Sequence, residues 1–436
     1  MSESSRSRPA DGDKTCGLVI LIGLASVLAH AWLVFTAVPL RSANDRSRWC
    51  TVWSLAERGT FVIDELQEER RWRTIDRLNH EGNWYSTKPP LFPAAVAGVY
   101  AAMKDPCGLD LRDDPVAATR AVLAVVNLLP WAVAVAVWTR LLVTRVDDGV
   151  SRLVLAVLFG FGTLLMPFCG VLNNHFPAAA AVTCSLPFLL RLLEKRDAVW
   201  TAAGAAFFAS AAAVNELPAL AYVGLVGLAA LRAGVRPAAA AVAATLPLLL
   251  AYVVATYVQT GGFKPFYAYY GTEKYLVGPD GEPTYWARPR GVDGAEVSTP
   301  EYIFHCLVGH HGLFVMTPFW LLTAAAWCGV GRRSGSPPRL FVAGTLVLTA
   351  TVLGFYWTRF ENYNYGGVSV ALRWVLWLVP LWAWTSAGVV GRLQRVASGR
   401  LVVWLLLTLS LANAWWAAPN PWRHPWVYAW VSGSPR

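Results

Sequence analysis

The chain has 436 residues, of which 56% are hydrophobic and only 15% are charged. Soluble domains carry about 25% charged residues, so this composition excludes an ordinary soluble protein. The net charge of +10 would suit a nucleic-acid partner, but many of the arginines lie in short segments between apolar blocks, where they orient membrane helices. No nucleic-acid partner is therefore expected.

The hydrophobic residues are concentrated in long blocks, such as 16–40, 238–258 and 401–418. Blocks of about 18 or more apolar residues can cross a bilayer as helices, and these blocks lack the alternation of barrel strands. The sequence therefore predicts an all-α integral membrane protein with about 11 transmembrane helices. The expected spans are 16–40, 117–139, 152–170, 176–193, 198–214, 218–232, 238–257, 313–330, 340–357, 372–390 and 401–418.

The polar, serine-rich residues 1–15 predict a disordered cytoplasmic tail. The rest of the chain, 16–436, is interpreted as a single polytopic transmembrane domain. Its first apolar block is taken as a retained span, because the block lacks the small-residue cleavage site of a signal peptide. Two long polar segments interrupt the domain, a large first loop at 41–116 and a second loop at 258–311.

The apolar block 90–103, inside the first loop, is short for a full membrane crossing. If this block does not cross, all the arginine-rich connectors between later spans fall on the side of the N-terminus, and the positive-inside rule makes that side cytoplasmic. A crossing would put every one of them outside. We therefore favour a non-crossing block, which places loops 41–116 and 258–311, and any active site built from them, on the periplasmic or external face.

A polar cluster with the sequence NDRSRW occupies residues 44–49, directly after the first span. Glycosyl transfer to a hydroxyl group needs a base that takes the proton as the new bond forms, and a carboxylate is the simplest such base. Asp45 is the candidate base, and Arg48 is the candidate for holding a charged group of the substrate. The alternative interpretation of the cluster is an ordinary charge pair at the membrane surface.

A second cluster, YSTKPPL at residues 85–91, opens the apolar block 90–103. The two prolines hold the chain ahead of them in an extended conformation, and Lys88 lies where the apolar segment meets water. The phosphate of a lipid would lie at that depth, and an ammonium group binds a phosphate as a point charge. The alternative is a lysine at a helix start whose ammonium group reaches out to the headgroups.

Together the two clusters resemble the motifs of the GT-C glycosyltransferases, most closely the branch with protein O-mannosyltransferases and the lipid A aminoarabinose transferase. The likeness rests on Asp45, Arg48 and Trp49, on the stretch ERGT at 57–60, and on KPPL at 88–91. These are membrane enzymes that use polyprenyl-phosphate sugars. The resemblance implies that Asp45 corresponds to the family's catalytic acid and that Lys88 lies near the phosphate of the carrier.

The resemblance also implies a reaction. The donor would be a polyprenyl-phosphate-linked sugar, the acceptor a hydroxyl group of a lipid, glycan or protein, and one displacement would invert the anomeric configuration. No nucleotide and no organic cofactor are required. Many family members carry paired acids at the first motif, whereas Arg46 follows Asp45 here. This departure disfavours a divalent metal, and it leaves a non-catalytic relative of the same fold as an alternative.

Further candidates for substrate binding lie in the expected external segments, and they are His175, Glu216, His310, Tyr365 and Arg373. Arg373, at the rim of a span, is suited to bind a phosphate through two hydrogen bonds. Glu216 is an acid close to the membrane, which needs a partner or water. The alternatives are helix caps, a tight turn and an arginine reaching to the headgroups. The histidines at 305, 310 and 311 lack HxxxH or HExxH spacing, so no metal ligands are assigned.

Loop 258–311 is rich in aromatic residues, which suit either an acceptor surface that stacks on sugar rings or an interfacial aromatic belt. The predicted function is glycosyl transfer at the outer face. One rival is a transporter or flippase for a lipid-linked glycan, which predicts ionisable residues in the middle of spans and two related halves. The charges instead lie almost wholly at span ends, and no halves are visible. Another rival is a glycan ligase or polymerase that uses diphosphate-linked donors.

Overall fold

The computed structural model describes residues 10–294, 297–331, 337–359 and 364–432. These residues are almost entirely helical, which confirms the predicted all-α class. The helices are α1 (Ala10–Phe35), α2 (Ala43–Arg58), α3 (Asp64–Gln67), α4 (Leu91–Cys107), α5 (Pro115–Leu123), α6 (Leu129–Arg145), α7 (Gly149–Phe161), α8 (His175–Leu193), α9 (Ala198–Asn215), α10 (Leu220–Ala233), α11 (Val235–Thr260), α12 (Glu273–Leu276), α13 (Thr299–Leu307), α14 (Leu313–Met316), α15 (Trp320–Trp327), α16 (Arg339–Trp357), α17 (Val379–Leu393), α18 (Ala397–Ala417) and α19 (Trp426–Ser432).

The N-terminal part of the chain differs from the expected disordered tail at 1–15. Residues 1–9 of that segment lie outside the described residues, and residues 10–15 already form the first turns of α1. The only strands among the described residues are β1 (Arg77–His80) and β2 (Asn83–Ser86), which pair as an antiparallel hairpin.

Within the described ranges, nine helical segments are long and apolar enough to cross a membrane, and they correspond to nine of the expected spans. They are Lys14–Phe35, Pro115–Arg145, Gly149–Gly170, His175–Leu193, Ala198–Asn215, Val235–Thr260, Arg339–Trp357, Arg373–Leu393 and Ala397–Ala417. A tenth expected span, 218–232, is the shorter apolar helix Leu217–Ala233. The segment Arg373–Leu393 is 89% buried and Val235–Thr260 only 6%, so the first is central and the second presents an apolar surface suited to lipid.

The expected span at 313–330 is not a continuous helix. It is divided into α14 and α15 by the residues Thr317–Phe319. Pro318 lacks a backbone N–H group and disfavours the helical conformation at the residue before it, and Thr317 is accordingly extended, with φ −138° and ψ 80°. Apolar composition predicts one span here, because a single proline changes the mean hydropathy of the segment very little.

The first long loop, 41–116, begins and ends at the same end of the helix bundle. Arg120 in α5 donates a hydrogen bond from Nε to the backbone oxygen of Ala37, just after α1, over 3.0 Å. Further along, Trp131 donates from Nε1 to Ser26 Oγ over 3.3 Å, so α1 and the α5–α6 segment run antiparallel. The chain from 38 to 114, α4 included, therefore returns to the end of the bundle from which it left. That block 90–103 does not cross a membrane stays a prediction.

The basic connectors gather at the opposite end. The carboxylate of Glu194, after α8, forms an ion pair with Arg145 at the end of α6. Arg152 in α7 donates to the thiol of Cys16, near the start of α1, over 3.4 Å. The connectors that carry Arg145, Arg152 and Glu194 therefore lie at the end of the bundle opposite to the long loops.

The turn between β1 and β2 sets the register of the hairpin. Glu81 and Gly82 both have positive φ, 54° and 81°, which matches a turn that suits the twist of two antiparallel strands. The resulting register pairs Arg77 with Ser86. It thereby brings the residue before β1, Asp76, next to the two residues after β2, Thr87 and Lys88.

The second long loop, 258–311, packs on this hairpin through an aromatic cluster. Leu78, Phe266 and Tyr275 are buried together, and Tyr85 of β2 meets the ring of Phe266 edge-on at a centroid distance of 5.3 Å. The two long loops, far apart in sequence, therefore form one structure above the helix ends.

Candidate active site

Two adjoining cavities lie at the end of the bundle that carries the long loops. The apolar cavity, of about 400 Å³, runs between α8, α10 and α16, and the aromatic cavity, of about 420 Å³, lies under the second loop. Among the described residues, those that line both are Asn44, Thr87, Lys88, Tyr267, Arg373 and Trp374. We call this shared zone the junction.

The apolar cavity is polar at the junction and hydrophobic at its other end. Its hydrophobic end is formed by residues such as Leu217, Leu220 and Val352. Leu217, Leu220 and Phe355 are each about 40% exposed (39%, 40% and 39%), so this end opens to the side of the bundle between α10 and α16. A cavity with a charged inner end and an apolar side opening fits an amphipathic ligand that enters from the lipid phase.

Lys88 lies at the junction, paired with an acid that the sequence did not single out. Its ammonium group forms an ion pair with Asp76, and Thr87 donates a hydrogen bond to the other oxygen of that carboxylate. Burial by itself would raise the pKa of Asp76, but the charge and hydrogen bonds of Lys88 and Thr87 outweigh it and hold the pKa below its usual value. Burial lowers the pKa of Lys88 to about 8.

Arg373 joins Lys88 at the junction, Arg48 lies beside it in the apolar cavity, and Asn44 holds both arginines. Arg373 donates from Nη1 to the side-chain oxygen of Asn44 over 3.0 Å, and Arg48 donates from Nη1 to its backbone oxygen over 3.0 Å. Arg373 also donates from Nε to the backbone oxygen of Gly366 over 2.9 Å. Arg48 is further fixed by Asn174 Oδ1. The three cations are therefore held in place before any ligand arrives.

His175 and Glu216 form the wall of the apolar cavity next to these cations. The carboxylate oxygen Oε1 of Glu216 contacts Nδ1 of His175 and accepts a hydrogen bond from Asn174. Asn174 also donates to the backbone oxygen of Asn215 over 2.8 Å, which ties the start of α8 to the end of α9. Burial raises the pKa of Glu216 to about 8 despite the nearby Arg48. The carboxyl group is therefore mostly neutral at pH 7 and can donate a hydrogen bond.

Asp45, the expected base, lies behind the cavity wall. Its two carboxylate oxygens accept the backbone N–H groups of Leu40, over 2.8 Å, and Leu172, over 3.2 Å. The residue is 1% exposed and lines neither cavity. Burial raises the pKa of Asp45 to about 6, although these two hydrogen bonds by themselves would lower it. Leu40 has a positive φ of 61°, so Asp45 holds a strained turn and ties it to the loop before α8. This geometry favours a positioning role over that of the base.

Asp45→Asn is accordingly expected to destabilise the fold by about 1–3 kcal/mol, because the amide nitrogen would face one of the two backbone donors. Thermal unfolding of the detergent-solubilised protein measures the effect, with Asp113→Asn, at an exposed position, as the control. Transfer activity per folded molecule is expected to persist. An Asp45→Asn variant of unchanged stability that has lost all transfer would restore Asp45 as the base.

The placement of His310 and Tyr365 does not support the expected substrate contacts. Neither residue lines either cavity. Tyr365 stacks on His311 at a centroid distance of 5.0 Å, in a cluster of rings that includes His305 and His310. Within the described ranges, no group of three His, Cys, Asp or Glu residues is arranged to hold a metal ion.

The aromatic cavity contains a second acid that sequence reasoning missed. Asp293 lies in the second loop, and Tyr285 donates a hydrogen bond from its hydroxyl group to Oδ2 over 3.0 Å. Burial raises the pKa of Asp293. No ion pair to Asp293 exists among the described residues, in contrast to Asp76, which Lys88 neutralises. Asp293 is therefore a carboxylate that faces the cavity and is able to accept a proton.

Comparisons with known proteins give little beyond this geometry. No family model matches the sequence, and no curated protein matches it. Among solved structures, the chain is similar to the Archaeoglobus fulgidus oligosaccharyltransferase, in a complex with Zn and sulfate, with 13% identity and a TM-score of 0.44. The alignment covers 95% of this chain and 56% of that one, so the chain spans about half the length of that protein. The likeness is distant and concerns fold alone.

Proposed function

We propose that this protein is a membrane glycosyltransferase that moves a sugar from a polyprenyl-phosphate donor to an acceptor hydroxyl group. The observation that carries the proposal is the junction. Two cations, Lys88 and Arg373, lie where a side-opening apolar cavity joins an aromatic cavity with polar walls, and a third, Arg48, lines the apolar cavity beside them. A lipid phosphate that bears a sugar has the same order of parts: an apolar tail, an anion and a polar ring.

The position of the donor follows when its tail, phosphate and sugar are matched to the apolar cavity, the junction and the aromatic cavity. The first isoprene units lie in the apolar cavity and leave it between α10 and α16, where Leu220 and Phe355 are exposed. The phosphate lies at the junction, between Lys88 and Arg373. Glu216, neutral at pH 7, donates to a phosphate oxygen. The sugar then extends into the aromatic cavity, since the junction residues line both spaces.

Catalysis follows from the fixed cations. The acceptor oxygen forms a bond to the anomeric carbon, the bond from that carbon to the phosphate oxygen breaks, and the electron pair stays on the phosphate. Negative charge grows on the phosphate in the transition state, and cations held beforehand stabilise it without reorganising. Arg48, fixed by Asn44 and Asn174, holds its position throughout.

The proton of the acceptor hydroxyl group goes to Asp293. Asp76 lines the same cavity, but its oxygens are engaged by Lys88 and Thr87, and Asp45 lies behind the wall. A carboxylate with a raised pKa accepts the proton of an alcohol in the transition state more readily than a carboxylate whose pKa is held low. One displacement with the base and the phosphate on opposite faces of the sugar inverts the anomeric configuration.

The site belongs to the periplasmic or external face in this proposal. Its support is the placement of the basic connectors, such as those that carry Arg145 and Arg152, at the other end of the bundle. Arginine-rich connectors stay on the cytoplasmic side.

Donor use is expected to fall as pH rises through about 8. Lys88, with a pKa lowered by burial to about 8, loses its charge there. Glu216, with a pKa raised by burial to about 8, becomes an anion beside the phosphate. Both changes weaken phosphate binding in the same direction, so kcat/KM for the donor should drop about tenfold or more per pH unit above 8. Lys88→Arg and Glu216→Gln, which do not titrate there, should each make the decline shallower; a profile flat to pH 9.5 contradicts the assignment.

Binding of undecaprenyl phosphate and of undecaprenol to the full-length protein in nanodiscs tests the donor class without knowledge of the sugar. The phosphate is expected to strengthen binding by at least tenfold. Equal affinity for the alcohol and the phosphate would remove the proposed donor site. Incubation with polyprenyl phosphates that carry ¹⁴C-labelled pentoses or hexoses then separates transfer from transport, because only transfer separates the label from the lipid.

A further inference from the structure

The aromatic cavity is unusually rich in rings. Among the described residues that line it, six of twenty are aromatic, which is 30%, against 13% for the whole chain. Tyr270, Tyr275 and Trp286 form one group, with Tyr270 edge-on to Trp286 at a centroid distance of 5.5 Å. Trp286 is fixed by a hydrogen bond from Nε1 to the backbone oxygen of Ile75, over 2.8 Å. These rings are oriented by their neighbours before a ligand binds.

A second group of rings comes from the other side of the fold. Trp422 lies after α18, and the guanidinium of Arg373 is 5.3 Å from its ring centroid. Trp374 follows Arg373 and stacks on Tyr356 at 4.1 Å. The wall between the two groups includes Gly366 and Gly367, both with positive φ, 85° and 71°. A β-carbon at Gly366 would lie 3.3 Å from Trp374 Nε1, so the absence of side chains there keeps the cavity open.

The polar groups of the cavity include hydrogen-bond donors, such as Arg41 and Arg373, as well as acceptors. The carboxylates of Asp76 and Asp293 line it, together with the carboxamides of Asn44 and Asn364. Asn364 Oδ1 is buried and has no hydrogen-bond partner within the described part of the chain. Aliphatic lining is confined to Ala43, Ile75 and Val368 among the described residues, whereas the apolar cavity carries two leucines, two prolines and a valine.

Rings with carboxylate and amide acceptors between them match the chemistry of a saccharide. The C–H faces of a sugar stack on aromatic rings, and its hydroxyl groups donate to carboxylates and amides. A volume of about 420 Å³ is within the range of small-molecule sites, about 300–1,000 Å³. An aliphatic chain would offer no donor to the carboxylate of Asp293, and a peptide backbone lacks the C–H ring face that stacks on these aromatic rings.

We infer that the acceptor of this enzyme is a saccharide whose reacting sugar ring is held in the aromatic cavity beside the donor sugar. The inference rests on the proposed function and specifies its acceptor. The reacting hydroxyl group lies at Asp293, and the remaining rings of a longer glycan leave the cavity past Tyr270 and Trp286. The sugar is either part of a free oligosaccharide or the headgroup of a glycolipid, since the same rings recognise both.

Saturation-transfer NMR with the full-length protein in nanodiscs tests the inference. The probes are trisaccharides of mannose, glucose, galactose and arabinose, the octyl glycosides of the same four sugars, and a Ser/Thr-containing acetylated peptide amide. At least one saccharide is expected to bind and the peptide is not. An octyl glycoside that binds more than tenfold better than the trisaccharide of its sugar would assign the site to a glycolipid headgroup; otherwise the site takes a free glycan.

The matched variants are Tyr270→Leu, which removes a cavity ring but keeps its bulk, and Phe263→Ala, a 75%-exposed ring of the same loop that lines neither cavity. Tyr270→Leu should weaken saccharide binding about 3- to 10-fold at unchanged thermal unfolding. Phe263→Ala should leave it unchanged. A peptide that binds while no saccharide does would overturn the inference. If no saccharide binds but undecaprenyl phosphate still binds through Lys88, the acceptor assignment fails and the proposed function stands; if the lipid phosphate fails too, both fall.

Discussion

Asp293→Asn is expected to lower the rate of sugar transfer by about 10²- to 10⁴-fold, the usual contribution of a general base. The amide keeps the hydrogen bond from Tyr285 to the side-chain oxygen, so the loop should keep its shape. It cannot take the proton of the acceptor hydroxyl group. Because Asp293 is not the partner of an arginine or lysine among the described residues, the change leaves no buried cation unpaired.

The effect should appear in kcat and not in donor affinity, since a base acts only after both substrates are bound. Undecaprenyl phosphate binding by Asp293→Asn is therefore expected to equal that of the native protein. Asp280→Asn is the matched control, an exposed acid of the same loop that lines neither cavity. If Asp293→Asn transfers sugar at the native rate, another group takes the proton, and Asp76 becomes the next candidate.

The fold class could be predicted because it depends on local composition. Long apolar blocks fix the helices, and arginine-rich connectors fix the direction in which they run. The interruption at Thr317–Phe319 escaped this reasoning because one proline changes the mean hydropathy of a window very little. That block 90–103 does not cross rests only on the charges of distant connectors and stays a prediction; the contact of Arg120 with Ala37 shows that the two ends of the first loop are close together.

Several site residues could be found for a related reason. Lys88, Glu216, His175 and Arg373 are polar residues at the ends of apolar helices, and helix ends on one side of a bundle necessarily meet. The sequence could not say which way each side chain faces. Asp45 and Arg48 share the first turns of α2, yet Arg48 lines the apolar cavity and Asp45 points away from it to Leu172.

The two acids that line the aromatic cavity were not predictable from local pattern. Asp76 reaches Lys88 only through the register of the hairpin, in which a two-residue turn brings both flanks together. Asp293 reaches the aromatic cavity only because the second loop packs on that hairpin through Phe266 and Tyr275. Both placements depend on contacts between segments far apart in sequence. His310 and Tyr365, by contrast, pack against each other in a separate cluster of rings, and neither lines a cavity.

Lys88→Met is expected to have two separable effects. It removes a cation that touches the donor phosphate, which should weaken undecaprenyl phosphate binding and lower transfer by about 10²- to 10³-fold. It also leaves the buried carboxylate of Asp76 without its partner, which should destabilise the fold by about 3 kcal/mol. A loss of activity in this variant alone would therefore not distinguish a phosphate ligand from a structural lysine.

The double variant Lys88→Met/Asp76→Asn makes that distinction. It removes both charges, and the new amide can still accept the hydrogen bond from Thr87, so thermal stability should return close to the native value. Phosphate binding should stay weak, because no ammonium group remains at the junction. Lys104→Met is the matched control: Lys104 lies on α4, the helix that follows Lys88, and pairs with Glu57, but lines neither cavity, and its loss should leave binding intact. If the double variant recovers lipid phosphate binding together with stability, Lys88 serves only to neutralise Asp76, and the phosphate must be held by Arg48 and Arg373 alone.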